Sequence, residues 1–485
     1  MKQETKYNIQ GCLAIFGGTL IHFTLGHFYT IANMVPYIMG YTKARVQKDV
    51  NDGLTIWLSA LALCVQGICM PIGGMIAKKI GFRIVVGVSC IFESVGVLLT
   101  YFTIQKTFYG VIVTYALLNG AGLGLGYSVV IAVATSWFPA RRGLVSGLVV
   151  GGFGLGALIF TPIQTAYINP DNVKVDNVTR EFTDPVLLDR VPNVFLLLGG
   201  LLLGLQTVGF ILLRPRPTMT EKPEDQELDE QKEPLSAQAE VSNCAQRMEK
   251  TGSKTNLEST KGQSDPIRED NLVPSQVLRH RDFYLLWIVM FCDIIPITII
   301  TSAYKYFGQT YISDDRALSA VATISALFNS GGRMMWGAIV DRISFKIPTC
   351  CMLAMWSFIL FTFPHLKYLE EDTLKVFYGI WICLLFVCIS GVFSIMPTAT
   401  GSLFGPANMA VNYGLVYSAV SVGTLVCALV STFVSSKGAY VVQFTSCGFI
   451  CLIGHLLSNM FIKSTGCEGM TLRRMDVSGA VQQDQ

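Results

Sequence analysis

The sequence carries little charge. Asp, Glu, Lys and Arg make up 14% of its 485 residues, against about 25% in an average soluble domain. What charge there is gathers in a few stretches and leaves long runs with almost none. The signatures of several function classes are missing as well. No Cys/His spacing suits a metal, and no nucleophile–base set or phosphate-binding loop stands out. The net charge of +3 forms no basic face that would hold nucleic acid. These gaps exclude a single water-soluble core. They also speak against an enzyme, a cofactor, a metal centre and a nucleic-acid partner. Most of the 14 cysteines, Cys12, Cys64, Cys90, Cys292, Cys388 and Cys451 among them, fall inside apolar runs, where a thiol behaves as a small hydrophobe.

Apolar residues make up the balance: 51% of the chain is hydrophobic and its mean hydropathy is +0.49. A helix needs about 20 mostly apolar residues to cross a ~30 Å hydrocarbon core. Twelve spans meet that demand: 11–39, 54–77, 84–104, 108–137, 143–168, 193–213, 283–311, 317–340, 347–366, 375–403, 410–435 and 438–462. The expected fold is all-α and integral to a membrane, with the lipid bilayer as its main partner. The first span is too long for a cleavable signal and is followed by no small-residue cleavage site.

The chain divides into halves. Residues 1–213 hold six spans and residues 283–463 hold six more. Between them, 214–282 is rich in Ser, Gln, Glu, Lys and Pro and reads as a disordered linker that cannot bury enough apolar surface to order itself. Residues 464–485 form a tail. The halves repeat: "GMIAKKIGFR" from Gly74 aligns without a gap with "GAIVDRISFK" from Gly337. A parallel duplication of six-helix units is a transporter design, and it makes these halves pseudo-symmetric. Lys and Arg of the short loops split almost evenly between the two sides, and the basic residues of the linker tip the balance. Both termini and the linker are expected in the cytoplasm. The sequon Asn177-Val178-Thr179, a possible glycosylation site, then falls outside. The expected location is the plasma membrane, with an organelle membrane as the alternative.

One charge interrupts the eighth span. In "FNSGGRMMWGAIVDR", Arg333 stands eight residues before Asp341, about 12 Å into the membrane by the helical rise. That depth is at the limit of snorkelling. An Arg near the middle of a helix costs about 3 kcal/mol on insertion scales, and a guanidinium does not give up its proton. It must face the bundle interior and find an anion, a carbonyl or water. Asn329 and Ser325 lie four and eight residues before it and extend one polar stripe. Two readings follow: a substrate-anion site, or a fixed ion pair between helices.

The repeated loop resembles the Gly-x-x-x-Asp-Arg/Lys-x-Gly-Arg/Lys-Arg/Lys pattern of the major facilitator superfamily. Gly74 and Arg83 fit the first copy and Gly337, Asp341 and Arg342 the second; these are the expected cytoplasmic gate loops. Lys78 stands where the pattern has Asp, and Ser344 where it has Gly. The stretches Gly122–Pro162, Met396–Ser418 and "FNSGGRMMWGAIVDR" resemble the oxalate/formate antiporter-like branch, which is related to the monocarboxylate transporters. The resemblance implies alternating access and makes Arg333 the substrate arginine. It implies that Tyr127 and Tyr29 face the anion, and it matches Asn329 to an acidic position and Asn33 to a lysine of the monocarboxylate carriers. The dicarboxylate-handling members use a lysine in span 11, and none stands there in this chain. The expected cargo is a small monocarboxylate such as lactate, pyruvate or formate, moved by proton symport or anion exchange. The alternative is a non-transporting sensor or scaffold that signals through 214–282.

Other polar groups lie inside spans. Asp293 is ten residues into span 7 and, by helical rise, at the depth of Arg333. It could carry the coupling proton or form a permanent pair with Arg333. His22 is a second candidate for the proton. His27 reads as a hydrogen-bonded core residue, and Glu93 has no partner evident in the sequence. The glycines of "GAGLGLG" have dinucleotide-like spacing but no preceding strand. Gly120/Gly124 and Gly143/Gly147/Gly151 read instead as faces for close helix packing.

Overall fold

Apolar runs of membrane-spanning length can satisfy their backbone groups in hydrocarbon only as helices or as closed barrels, and this chain forms helices. The computed structural model describes residues 2–50, 54–171, 173, 182, 184–217, 271–312, 315–433 and 439–461. Asn177, most of the linker (218–270) and the tail from 464 lie outside the described residues. Residues 1–216 and 270–485 form one compact unit.

Among the described residues twelve long helices follow in order. They are α1 (Lys6–Arg45), α2 (Thr55–Ile80), α3 (Phe82–Thr103), α4 (Phe108–Thr135), α5 (Pro139–Ile168), α6 (Pro185–Leu212), α7 (Arg281–Tyr311), α8 (Asp315–Ile343), α9 (Lys346–Tyr368), α10 (Glu371–Phe404), α11 (Met409–Thr432) and α12 (Tyr440–Ser458). Eleven of them are apolar and long enough to cross a membrane by composition. The exception is α8, the helix of Arg333. Its polar stripe lowers its hydropathy, yet Ser325, Asn329, Ser330 and Arg333 are all buried while Ile324, Leu327, Phe328 and Met335 are exposed. Packing, not mean hydropathy, makes it the twelfth span: it lies against α5 and α10.

Local chemistry corrects three expected boundaries. Helix α6 starts at Pro185 and not near 193, because Asp184 accepts from the Val186 and Leu187 amides and Pro185 fits the first turn. The first span is not one continuous helix. It contains a 3₁₀ segment, Gly26–Thr30, where Gly26 lies against the Phe153 carbonyl and Gly156 of α5, leaving no room for a Cβ. The linker also ends earlier than 282. Asn271 and Leu272 dock on the α10–α11 loop: Leu272 N donates to Phe404 O (3.0 Å), and Leu272 O accepts from the Asn408 (2.8 Å) and Asn412 (3.2 Å) amides.

The halves meet along glycine faces at the end that bears the α2–α3 and α8–α9 loops. Gly143 abuts Gly337, and Gly147 abuts the backbone of Arg333. Across the pseudo-symmetric contact, Gly74 abuts Ala410 and Val411, and Gly414 abuts Pro71. Small residues let the backbones approach and dispersion do the holding. On one side Asp341 closes the seam. Its carboxylate accepts from Gly143 N and Leu144 N, both at 2.7 Å, and so caps the N-terminus of α5 from the other half. In the repeat Lys78 takes the place of Asp341. It donates to Asn408 Oδ1 instead, on the loop to which Leu272 is bound. Arg83 and Arg342 are exposed at this end.

The repeat also shows strain. Gly81 ends α2 with φ 91°, and Ser344 holds the corresponding place with φ 77°. A side chain in the left-handed region costs about 1–2 kcal/mol. Ser344→Gly should therefore raise stability by about 1 kcal/mol, read as a higher unfolding midpoint in detergent. Asp341→Ala should remove about 1–2 kcal/mol of capping and dipole stabilisation and shift the closed form of this end toward open roughly tenfold. The check is faster thiol labelling of Ser146→Cys in a cysteine-depleted background; an unchanged rate would mean the cap does not hold this end shut.

Candidate functional site

Arg333 is fully buried between the halves. Its Nε donates to Asn329 Oδ1 at 3.2 Å, one turn back on α8. Nη1 donates to the Val150 carbonyl of α5 at 2.8 Å, and Nη2 donates to Tyr29 Oη of α1 at 3.4 Å. The guanidinium carbon lies 5.0 Å from the centre of the Phe393 ring and 5.8 Å from that of Phe153, within the range of cation–π attraction. Ser394 of α10 donates to the Arg333 carbonyl at 2.9 Å. Four helices from both halves thus hold one cation.

No carboxylate pairs with Arg333 among the described residues. A guanidinium has five N–H donors, and these contacts use three, leaving one on each of Nη1 and Nη2.

The sequence reading brought most of these residues together. Tyr29, Asn329 and Arg333 touch directly. Tyr127 of α4 lies one layer away, with its ring centre 4.7 Å from His22 and 5.7 Å from Phe153. His22 is buried, and its Nδ1 meets Gly18 O at 3.2 Å. His22 and Tyr127 lie within electrostatic reach of the guanidinium. So do two residues the reading missed, Tyr413 and Tyr417 of α11. The rings of Tyr127, Tyr417 and Tyr413 follow one another at 5.9 and 5.8 Å. Their signal was present in "VNYGLVYS": two tyrosines four apart fall on one helix face.

The expected meeting of Asp293 and Arg333 does not occur. Asp293 is fully buried and both its oxygens lack a hydrogen-bond partner, and it forms no ion pair among the described residues. Its electrostatic neighbours are Cys292 on its own helix and Cys451 of α12. Asp293 faces the interior of its own half instead. An apolar groove of about 400 Å³ lined by Val321, Ile324, Phe328 and Ile380 lies between α8 and α10, away from Arg333, and carries no polar cluster.

Comparison with known proteins agrees with this architecture. The chain matches the Major Facilitator Superfamily over residues 15–366 and 286–466. Apicoplast pyruvate carrier 1 of Toxoplasma gondii is 26% identical over 471 residues, covering 85% of this chain and 82% of the carrier. The oxalate:formate antiporter of Oxalobacter formigenes is 23% identical over 399 residues, covering 79% and 78%. The crystal structure of the E. coli fucose:proton symporter aligns with a TM-score of 0.59 at 10% identity, over 93% of this chain and 98% of that one. That likeness carries the fold alone. A match that runs through both halves, on a fold shared with a solved transporter, makes the chain a member of the Major Facilitator Superfamily: a multi-pass membrane transporter and not an enzyme.

Proposed function

We propose that this protein carries a small monocarboxylate by alternating access at Arg333, by proton symport or anion exchange. The observation that carries the reading is a fully buried guanidinium between the halves, with no anionic partner among the described residues and two N–H donors unspent. A carboxylate supplies the missing charge and the two acceptors at once. Tyr29 and Asn329 orient the guanidinium. Tyr127, Tyr413 and Tyr417 offer apolar ring faces to a short organic chain and hydroxyls that can donate to its carboxylate. The names of the relatives, a pyruvate carrier and an oxalate:formate antiporter, support the same substrate class. Helix α11 carries no Lys or Arg, so a second carboxylate would find no second fixed cation there.

Glycine faces close the loop end of the seam. On the opposite half of α7, Thr301, Ser302 and Lys305 are exposed. A stripe of that kind suits a water-filled opening better than lipid, which supports access from the far end in this conformation. With the termini in the cytoplasm, that end faces away from it, and the seam between Gly143 and Gly337 is the cytoplasmic gate. The membrane is the plasma membrane or an organelle membrane; the apicoplast relative favours keeping the second in view.

The test is uptake of labelled formate, lactate and pyruvate into proteoliposomes. Arg333→Lys keeps the charge but loses the planar fork, and transport should fall about tenfold. Arg333→Gln should lose about 3 kcal/mol of charge-assisted bonding, roughly a hundredfold, at normal protein abundance. Full transport by Arg333→Gln would end the anion-site reading. The monocarboxylates should also compete better than oxalate. Tight, saturable oxalate uptake would show that one cation suffices for two carboxylates and would reverse the substrate-charge argument.

A further inference from the structure

The buried groups around Arg333 hold a cation but offer it no acid. Asn329 and Asn33 are amides that cannot titrate, and Asp293 stands apart. Elsewhere in the N-terminal half, His27 Nδ1 lies 3.5 Å from Glu93 Oε1. Both side chains are fully buried, which is true of no other ion pair among the described residues. Neither nitrogen of His27 has a hydrogen-bond partner with good geometry, and neither has Glu93 Oε1. Glu93 Oε2, by contrast, is held: Gln206 Nε2 of α6 donates to it, and Ser94 Oγ donates to Gln206 Oε1. One carboxylate oxygen is fixed and the other faces an imidazole across a gap that a proton could bridge. A buried polar group left open in this way calls for an explanation.

We propose that the His27–Glu93 pair is the proton-binding site that couples proton movement to anion transport. This rests on the reading of the protein as a carboxylate carrier. The titratable groups facing the pair are few. Tyr115 of α4 puts its ring 5.8 Å from that of His27, with its hydroxyl unpartnered. Cys90 lies within electrostatic reach on Glu93's own helix. Helix α5 presents Phe160 to His27, α6 presents Gln206, and Gly122 of α4 packs on the Glu93 backbone. The membrane-buried stretches of these elements bring no Lys, Arg, Asp or second Glu to the pair. On α1 itself the neighbouring titratable groups are Tyr29, which receives Arg333, and His22, which faces Tyr127.

The route from the pair to the anion is short. His27 and Tyr29 share the 3₁₀ segment Gly26–Thr30, and Tyr29 receives Arg333. The segment is braced: Thr30 Oγ1 donates to the His27 carbonyl (2.7 Å), Gln164 Nε2 to Thr30 Oγ1 (2.7 Å), and half-buried Asn33 Nδ2 to Gln164 Oε1 (3.1 Å). A change in the His27–Glu93 contact turns the same piece of backbone that positions Tyr29.

Charge balance makes the coupling obligatory. With the anion site empty and the pair carrying one net negative charge, Arg333 and the pair sum to zero. With an anion bound and one proton on the pair, the sum is again zero. An anion alone leaves the interior one charge negative, and a proton alone leaves it one charge positive. Either excess is expensive in a low-dielectric interior, so the empty and doubly loaded forms are the ones that reorient. The proton enters from water at the open end, resides on the pair and leaves to water at the other end.

The experiment uses full-length protein in proteoliposomes with labelled formate, lactate and pyruvate, comparing net uptake driven by an inward acid gradient with exchange in the absence of a gradient. Glu93→Gln fixes the carboxyl in its neutral shape. Net uptake should fall about tenfold or more, with His27→Gln acting alike, while exchange falls far less; Asp293→Asn should keep the acid stimulation. Undiminished acid stimulation in Glu93→Gln, or its loss in Asp293→Asn alone, overturns the proposal. A second readout needs no transport. Infrared difference spectra of the purified protein on acidification should show a carboxylic-acid band that Glu93→Gln removes; an unaltered spectrum overturns the proposal. If the wild type exchanges none of the three anions, the substrate reading fails, and the infrared band still decides the pair.

Discussion

A guanidinium that cannot lose its proton, held where the described residues supply no counter-charge, is the constraint around which the rest is arranged. A helix bearing it pays for insertion only if the bundle encloses the charge. Enclosure comes from both halves: Val150 and Tyr29 from one, Asn329 and Phe393 from the other. The cation therefore sits on the seam that must open, and what it bonds to depends on how the halves are docked. A charge wholly inside one half would lack that property. Asp293 is the contrasting case, a buried acid enclosed within one half.

The seam is shaped so that it can part. Its close contacts at the loop end are glycine against glycine and backbone. Such faces lose dispersion on separation but leave few unsatisfied polar groups, so the two docked states can lie close in energy. Asp341 adds one polar clasp of two amide bonds. The repeat would put a second carboxylate at residue 78, and the chain has Lys78 there. The clasp on that side is assembled from Asn408 and the linker residue Leu272 instead. Duplication supplied two equivalent seams, and divergence gave them different fasteners.

Much of this was legible in the sequence. Arg333 stood out because a single charge in an apolar run has one physical explanation, an enclosed interior. The glycine spacings at Gly143, Gly147 and Gly151 named the face that meets α8. What was not legible shares one cause: helical rise gives depth, but the direction a side chain faces depends on packing. Helical rise gives Asp293 and Arg333 the same expected depth, and they do not meet. His27 and Glu93 lie far apart in sequence on different helices, and the 3₁₀ segment that turns His27 toward Glu93 breaks the 3.6-residue period on which a sequence reading relies. That segment is left to the packing of Gly26 on Phe153 and Gly156, two long-range contacts that no local pattern announces.

Helix α5 joins these pieces. One of its faces, Gly143, Gly147, Gly151 and Gly154, lies on α8; another, Gly152 and Gly156, lies on Thr19 and Gly26 of α1. Between the two faces it supplies the Val150 carbonyl to Arg333 and the Phe153 ring to Tyr29, Tyr127 and the guanidinium. It touches the seam at its N-terminus through Asp341, the cation at its middle and the 3₁₀ segment of α1 just beyond. A rotation of α5 against α8 cannot leave the cation's bonds or the packing of that segment unchanged, because both are made to the same stretch of helix, Val150–Gly156. The close-packed glycines are what make this a mechanical link: with side chains in those places the helices would stand off, and motion at the gate could be absorbed before it reached the site. The seam between the halves, the bonds that hold Arg333 and the 3₁₀ segment of α1 are thus tied through one helix.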